Sequence, residues 1–305
     1  MERVKLSKGG PEVSRLVYGT WRLLDDEGGA PSAGEVVKRL EACLELGITT
    51  LDTAEIYGLY AVEAALGQAF KEQAGLREKF EIVTKCGIDV PSDEKDFARV
   101  AHYNATAANM VACAEKSLRL MNTDCLDVLL VHRPDWLTRA DETAEGLNRL
   151  MKEGKIKCAG VSNYTVHQFE VLHPLVEGGL VTNQVEASVL SMGALYDGTL
   201  DQCQRLGICP MAWSPTAGGR LFDPADEAAG RVRKLVEGEL SEKYGGATLD
   251  QMAFAWLLAH PSRMVPVIGT NKVSRIESAA KGAGIELERQ DWYAMWEAAQ
   301  GESVP

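Results

Sequence analysis

Four polar residues follow apolar stretches of the sequence and could together perform acid–base chemistry. Asp52 ends the run that begins after Gly47, and Tyr57 comes five residues later. Lys85 ends a second apolar run, and His132 follows a third. Short apolar runs of this kind are typical of buried strands. The sequence therefore predicts Asp, Lys and His at three strand ends, with a tyrosine on the loop beyond the first.

These residue types suit the reduction of a carbonyl group, which needs a hydride at carbon and a proton at oxygen. A free tyrosine has a pKa of ~10 and is a poor acid–base group near neutrality. An ammonium beside Tyr57 would lower that pKa, a carboxylate would hold the ammonium, and a histidine could orient the substrate oxygen. Each residue alone could equally be a surface charge, a cap or a packing group. The hypothesis depends on their convergence.

The alternation of strand and helix patterns along the chain predicts a parallel sheet. Eight such units in ~250 residues favour a (β/α)8 TIM barrel over an open doubly wound sheet, whose usual Gly-x-Gly-x-x-Gly turn is absent from this sequence. Active sites of such barrels lie at the C-terminal strand ends. The predicted strands are 16–20, 49–52, 80–85, 126–131, 156–161, 180–184, 208–213 and 265–269.

The same patterns place helices between the strands and extra helices near the C-terminus. Ser32 and Glu35 form a capping-box signature at the start of the first helix. An N-terminal β-hairpin is expected over residues 3–15, and a long loop at the barrel mouth over Gly87–Asn104. No repeat or linker divides residues 1–305, so one domain is expected. The predicted helices are 32–46, 60–72, 105–121, 140–153, 165–176, 193–206, 228–244, 248–260, 272–282 and 288–299.

Composition narrows the class of protein. The 305 residues are 46% hydrophobic and carry a net charge of −12, which argues against nonspecific binding to nucleic acid or to an anionic membrane. No secretory signal and no apolar run of ~20 residues is found. The seven cysteines include no Cys-x-x-Cys pair, so we expect reduced thiols in a cytoplasmic protein and no metal site.

Several segments resemble those of one known family, the aldo/keto reductase superfamily, and within it the bacterial YdhF-like branch of oxidoreductases. The resemblance extends over essentially the whole chain. It implies that Tyr57 is the proton donor, that Lys85 lowers the pKa of Tyr57, that Asp52 is the partner of Lys85, and that His132 orients the carbonyl. The matching segments are Gly19-Thr20-Trp21, residues 51–58 with Glu63, 131–135, 160–164, 211–215 and Val304-Pro305.

The resemblance also implies NADP(H), bound in an extended form across the barrel mouth. Ser162, Asn163 and Gln184 would hydrogen-bond the nicotinamide carboxamide, and Trp213 would stack on its ring. From the residues alone, Asn163 could equally start a turn. Gly19, Thr20 and Trp21, at the end of the first strand, complete this part of the predicted cofactor site.

Two further segments are predicted to bind the phosphates of the cofactor. The first, residues 214–220, is a small, flexible loop that ends in a cation. It suits a pyrophosphate, although it could be a plain glycine-rich loop. The second, residues 269–275, is a helix start with Lys and Arg, which suits the 2′-phosphate and favours NADP(H) over NAD(H). Ser278 and Ala279 depart from the family pattern, so the adenine contacts are left open. The two segments contribute Ser214, Pro215, Thr216, Gly218, Gly219 and Arg220, and Gly269, Thr270, Asn271, Lys272 and Arg275.

Aromatic residues after the first, third and fourth strands would give the mouth an apolar pocket for aldehydes or ketones; these are Trp21, Tyr103 and Trp136. The main prediction is thus an NADP(H)-dependent reductase of small carbonyl compounds. Two alternatives stay open. One is a cofactor-binding regulatory or redox-sensing barrel with slow turnover, and the other is an aldolase-type enzyme with Lys85 as the Schiff-base nucleophile.

Overall fold

Eight parallel strands form a closed barrel in the computed structural model, which describes residues 1–26 and 29–304. Each strand pairs with the next one along the chain, and the last pairs with the first through Val267 and Val17. The predicted (β/α)8 barrel is confirmed. Its strands are Val17–Gly19, Thr50–Asp52, Glu81–Cys86, Leu126–Val131, Ile156–Ser162, Asn183–Glu186, Met211–Trp213 and Val265–Ile268.

The sixth and seventh strands begin three residues later than predicted, at Asn183 and Met211. Leu180 and Ile208, which prompted the earlier starts, are buried against the helices without being strand residues. An apolar residue indicates burial, but a residue just before a strand can be buried as well, so burial alone does not show where a strand begins.

The N-terminal hairpin is also confirmed. Arg3–Lys5 pairs antiparallel with Glu12–Ser14. The apolar side chains of the hairpin, Val4, Leu6 and Val13, pack with the barrel interior. The hairpin therefore covers the N-terminal end of the barrel and leaves the C-terminal strand ends as the open mouth.

Helices surround the barrel, and most of the longer ones bury one face, whereas Leu249–Leu258 is buried over six consecutive residues from Met252 to Leu257. The first helix begins at Ser32 with both reciprocal bonds of the capping box to Glu35, as the sequence predicted. The helix predicted over 228–244 is interrupted by a π-helical segment, Val236–Leu240. Tyr57–Tyr60 forms a short turn that contains left-handed residues. The α-helical segments are Ala33–Glu45, Val62–Glu72, Ala107–Met121, Ala140–Lys152, Val166–Leu172, Gly193–Tyr196, Thr199–Leu206, Glu227–Leu235, Ser241–Lys243, Leu249–Leu258, Val273–Gly282 and Arg289–Gln300.

The long loop after the third strand has structure of its own. Ile88–Asp89 pairs antiparallel with His102–Tyr103 and so closes the loop at its base. Inside it, the Lys95 ammonium lies 2.8 Å from an Asp89 carboxylate oxygen and 3.0 Å from one of Glu55. This buried cluster ties the loop to the segment between Asp52 and Tyr57.

No helix in residues 1–26 or 29–304 is long and apolar enough to span a membrane. All seven cysteines are free. Pro305, part of the terminal match to the family, lies outside the described residues.

Candidate active site

The end of the third strand brings Lys85 against both Asp52 and Tyr57. Asp52 pairs in register with Val83 of that strand, and Lys85, two residues further on, lies on the same face as Val83. The Lys85 Nζ donates to Asp52 Oδ1 at 2.7 Å, to the Thr53 carbonyl at 2.8 Å and to Tyr57 Oη at 2.9 Å. The ammonium is almost completely buried, with 1% of the residue exposed.

The loop that carries Tyr57 is held by the neighbouring strand. The N–H groups of Thr53 and Glu55 donate to the carbonyls of Val83 and Lys85, each at 2.9 Å. Directly after Tyr57 the chain turns through left-handed conformations, with φ of 56° at Gly58 and 51° at Leu59. Gly58 thus allows the sharp change of direction between Tyr57 and the following helix.

Burial and the ion pair act in opposite directions on the two proton-bearing groups. Burial tends to lower the pKa of Lys85, but Asp52 and Tyr57 outweigh it and the pKa is raised. Burial raises the pKa of Tyr57, and Lys85 opposes that effect without cancelling it. The expected lowering by Lys85 is therefore present, but it is smaller than the effect of burial. At neutral pH the pair holds an ammonium and a protonated phenol.

His132 faces Tyr57 from the fourth strand. The two ring centroids are 6.0 Å apart with an interplanar angle of 72°. Burial, followed by the charges of Lys85 and Arg133, holds the pKa of His132 well below its ordinary value. The imidazole is therefore neutral at pH 7. All four predicted catalytic side chains come together in the structure.

A fifth side chain joins this network from across the barrel. The Gln184 Nε2 donates to Asp52 Oδ2 at 2.6 Å, while Oδ1 of the same carboxylate accepts from Lys85. The family resemblance implied a contact of Gln184 with the nicotinamide carboxamide only. Its contact with Asp52 was missed, because the two residues lie 132 positions apart and meet only in a closed barrel.

A cavity of about 340 Å³ is lined by three of these four residues, Asp52, Tyr57 and His132. On its far side Ser162, Asn163 and Trp213 form a chain of hydrogen bonds: the indole N–H donates to Asn163 Oδ1 at 3.0 Å, and Asn163 Nδ2 donates to Ser162 Oγ at 2.8 Å. Eleven of the predicted cofactor residues line this cavity: Gly19, Trp21, Ser162, Asn163, Gln184, Trp213, Ser214, Pro215, Thr216, Gly218 and Gly269.

A second cavity, of about 860 Å³, adjoins the first. It extends to the start of the helix Val273–Gly282. Its charged lining residues are the cations Arg22, Arg39, Lys272 and Arg275 and the carboxylates Asp25, Asp26 and Asp250. Five more of the predicted cofactor residues line this second cavity: Gly219, Thr270, Asn271, Lys272 and Arg275. Five residues line both cavities and form their shared wall: Arg22, Pro215, Thr216, Gly218 and Gly269.

Two predicted cofactor residues line neither cavity. Thr20 is buried, and its hydroxyl donates to the Asp52 carbonyl at 3.0 Å. Arg220 turns away to an ion pair with Asp226 at 2.8 Å. Of the two residues that depart from the family pattern, Ser278 lines the second cavity and Ala279 is buried.

The three predicted aromatic residues of the substrate pocket differ in position. Trp21 lines the first cavity and meets the Tyr57 ring edge-on at 4.9 Å between centroids. The ring centroids of Tyr103 and Trp136 are 5.9 Å apart, but neither residue lines a cavity, and Trp136 is 80% exposed.

Two arginines of the first cavity, Arg22 and Arg133, had no predicted role. The sequence offered one indication of their position: Arg22 directly follows Trp21, and Arg133 directly follows His132.

Comparison with known proteins agrees with this architecture. A thermostable aldo-keto reductase, Tm1743, solved in complex with the inhibitor epalrestat, superposes with a TM-score of 0.80 at 25% identity, over 98% of this chain and 100% of that one. The chain is 44% identical over 304 residues to 6-dehydroglucose reductase of Agrobacterium fabrum and 41% identical over 305 residues to the oxidoreductase YdhF of Escherichia coli. Both alignments cover all of each chain.

The family model described as the Aldo/keto reductase family matches residues 15–300. That range includes the eight barrel strands and every residue of the two cavities. The chain therefore belongs to the aldo/keto reductase family.

Proposed function

We propose that this protein reduces aldehydes or ketones to alcohols with NADP(H), and that Tyr57 is the proton donor. The observation that carries the proposal is the Lys85 ammonium, which bonds Asp52 and Tyr57 together at the base of a cavity. That cavity continues into a second one ending at Lys272 and Arg275.

The side chains have complementary tasks in this reaction. A bound nicotinamide cofactor supplies the hydride to the carbonyl carbon. Tyr57 gives its phenolic proton to the carbonyl oxygen, and the Lys85 ammonium stabilises the phenolate left behind. Asp52 keeps Lys85 charged and in place. Neutral His132 orients the carbonyl oxygen toward Tyr57, and the burial of the ion pair limits access of water.

The residues around both cavities fit a dinucleotide. Trp213 offers an aromatic face, and the amides of Asn163 and Gln184 offer donors and acceptors for a carboxamide. The shared wall of Pro215, Thr216 and Gly218 leads from there toward the start of a helix, where anions bind favourably. Lys272 and Arg275 would hold the 2′-phosphate, which favours NADP(H) over NAD(H).

The name of the Agrobacterium relative extends the proposal to a substrate class. That protein is called 6-dehydroglucose reductase and aligns with this chain from end to end. A sugar aldehyde is accordingly a substrate class to test here. The cavity above Tyr57 has polar walls as well as aromatic ones, as such a substrate requires.

The geometry argues against the aldolase alternative. A Schiff-base lysine must be available as a free amine, and its pKa is usually lowered for that reason. Lys85 has a raised pKa and donates to three acceptors at once. Borohydride with a carbonyl substrate should therefore trap no adduct at Lys85.

Titration of tryptophan fluorescence with NADPH, and with NADH in parallel, tests the cofactor site, since Trp21 and Trp213 both line the first cavity. We expect quenching at lower concentrations of NADPH than of NADH. Aldehydes and ketones added to the NADPH complex should then be reduced. No quenching by either nucleotide would refute the proposal, and tight binding without turnover would favour the regulatory alternative.

A further inference from the structure

Arg133 is a cation in the wall of the first cavity that has no counter-charge. It follows His132 directly and lines the same cavity as Tyr57. No described residue forms a hydrogen bond or an ion pair with its guanidinium, whose closest aromatic contact is the Trp213 ring at 6.0 Å. By contrast, Arg22 donates to the Gly269 carbonyl at 3.0 Å.

No carboxylate of the described cavity wall is available to pair with the positive charge of Arg133. Among the described residues that line it, Asp52 is the only carboxylate, and both of its oxygens are occupied, by Lys85 and by Gln184. Arg133 is partly buried, so its N–H donors have lost part of their hydration. A guanidinium in that situation is stabilised by a ligand that brings oxygen acceptors.

The position of Arg133 separates it from the predicted 2′-phosphate site at Lys272 and Arg275. It lines only the cavity that contains Tyr57 and His132, and it belongs neither to the second cavity nor to the wall that the two share. Because Arg133 directly follows His132 and shares this cavity with Tyr57, where the proposed function places the carbonyl, we assign the acceptors it meets to the substrate.

We propose that Arg133 determines substrate specificity by donating paired N–H groups to two oxygen atoms of the aldehyde, either vicinal hydroxyls or a carboxylate. The inference rests on the proposed function, since it places the carbonyl at Tyr57. The guanidinium is planar and presents its donors as a fork, which matches a pair of oxygen atoms and no alkyl chain. Aldehydes with oxygen-bearing chains are thus preferred over alkyl aldehydes of equal length.

Two substrate pairs of equal carbon number test the preference. D-glyceraldehyde is compared with propanal, and succinic semialdehyde with butanal, as ratios of kcat/KM with NADPH. We expect the wild-type enzyme to prefer the oxygen-bearing member of at least one pair. Arg133→Met should lower that ratio by at least about tenfold, the range expected for lost bonds to a charged donor.

The two sources of paired oxygens are distinguished by which ratio falls. A loss confined to the glyceraldehyde pair identifies vicinal hydroxyls, and a loss confined to the succinic semialdehyde pair identifies a carboxylate. Arg133→Lys keeps the charge without the fork, so it should restore the carboxylate preference in part and the hydroxyl preference hardly at all.

A matched control comes from the same loop. Arg139 is exposed and paired with Asp141 at 2.9 Å, and Arg139→Met should keep both ratios. Ratios unchanged in Arg133→Met, with all four aldehydes still reduced, would overturn the role of Arg133 alone. If the wild-type enzyme reduced none of the four with either nucleotide, the proposed function and this inference would both fall.

Discussion

The Lys85 ammonium is charged and nearly inaccessible to water, so its acceptors determine whether the site can form. It bonds Asp52 Oδ1, the Thr53 carbonyl and Tyr57 Oη at once. Removing one partner of a buried ion pair typically costs about 3–5 kcal/mol, because the other charge is left unpaired. Substitution of Asp52 would therefore change stability together with activity, whereas a change at Tyr57 leaves the ion pair intact.

Tyr57→Phe removes the proposed proton donor and keeps the ring that packs against Trp21. We expect carbonyl reduction to fall by about 10²- to 10⁴-fold, the usual contribution of a positioned acid. The loss of one hydrogen bond from the buried Lys85 ammonium should lower the free energy of unfolding by about 1.5–3 kcal/mol. Steady-state kinetics measures the first effect and urea unfolding the second.

NADPH affinity serves as the control for this variant, because the phenolic oxygen is not needed to hold the cofactor. Fluorescence titration should give dissociation constants within about twofold of each other for the two proteins, a difference of less than 0.5 kcal/mol. Reductase activity close to that of the wild-type enzyme would contradict the assignment of Tyr57.

Single residues of the site differ in how far the sequence could predict them. Asp52, Tyr57, Lys85 and His132 are predictable because each follows an apolar strand, and parallel strands end at one edge. The Gln184–Asp52 bond is not, since it crosses the barrel and depends on the register of closure. A glycine-rich loop with an arginine gives no indication that Arg220 turns to Asp226.

The helix Val62–Glu72 is attached to its neighbours by a buried carboxyl group. Glu63 accepts from the Thr84 hydroxyl of the third strand at 2.6 Å and from the Ser117 hydroxyl of the next long helix at 2.8 Å. Burial raises the pKa of Glu63 from 4.5 to about 7, and the two hydroxyl bonds oppose that rise. This glutamate belongs to the family-like segment around Tyr57, and its contacts fix the helix behind the catalytic loop.

Glu63→Gln should make the stability of the protein less dependent on pH. The folded state keeps the Glu63 proton to higher pH than the unfolded state does, so the carboxyl destabilises the native protein increasingly between pH 4.5 and about 7. Glutamine does not titrate. Relative to the wild-type protein, the variant should gain about 2 kcal/mol in free energy of unfolding between pH ~5.5 and ~8.5.

Urea unfolding at the two pH values measures this gain. Glu72→Gln, at the exposed end of the same helix, should produce none. A difference between Glu63→Gln and the wild-type protein that stays constant over this range would show that Glu63 is ionised in the folded state at both pH values.

Structural elements that depend on residues close together in the sequence were predictable, whereas those held by contacts between distant residues were not. The capping box needs only Ser32 and Glu35, three positions apart, and it forms as predicted. The stretch Gly87–Asn104 shows no periodicity because its order comes from a short strand pair and from Lys95 between Asp89 and Glu55. Those partners lie on two different loops, so no window of the sequence contains the cluster.

At the scale of the whole molecule, an acidic protein places two cations at a helix start where an anionic ligand could bind. The net charge is −12, yet the far end of the second cavity carries Lys272 and Arg275 at a helix start. The two adjoining cavities are lined by residues of the first, second, fourth, fifth, sixth, seventh and eighth strand ends or the loops after them. A cofactor that fills both would therefore link distant parts of the barrel and stabilise it as a unit.

NADPH should accordingly raise the melting temperature, and alanine at both Lys272 and Arg275 should selectively reduce that rise. At 100 times its dissociation constant a ligand adds about 2.7 kcal/mol, or about 4 °C for a chain of 305 residues. The double variant loses the counter-charges of the 2′-phosphate, so its shift with NADPH should fall to that with NADH. Lys281→Ala, at the other end of the same helix, is the matched control and should keep the NADPH shift. Equal losses with NADPH and NADH would show that the phosphate binds elsewhere.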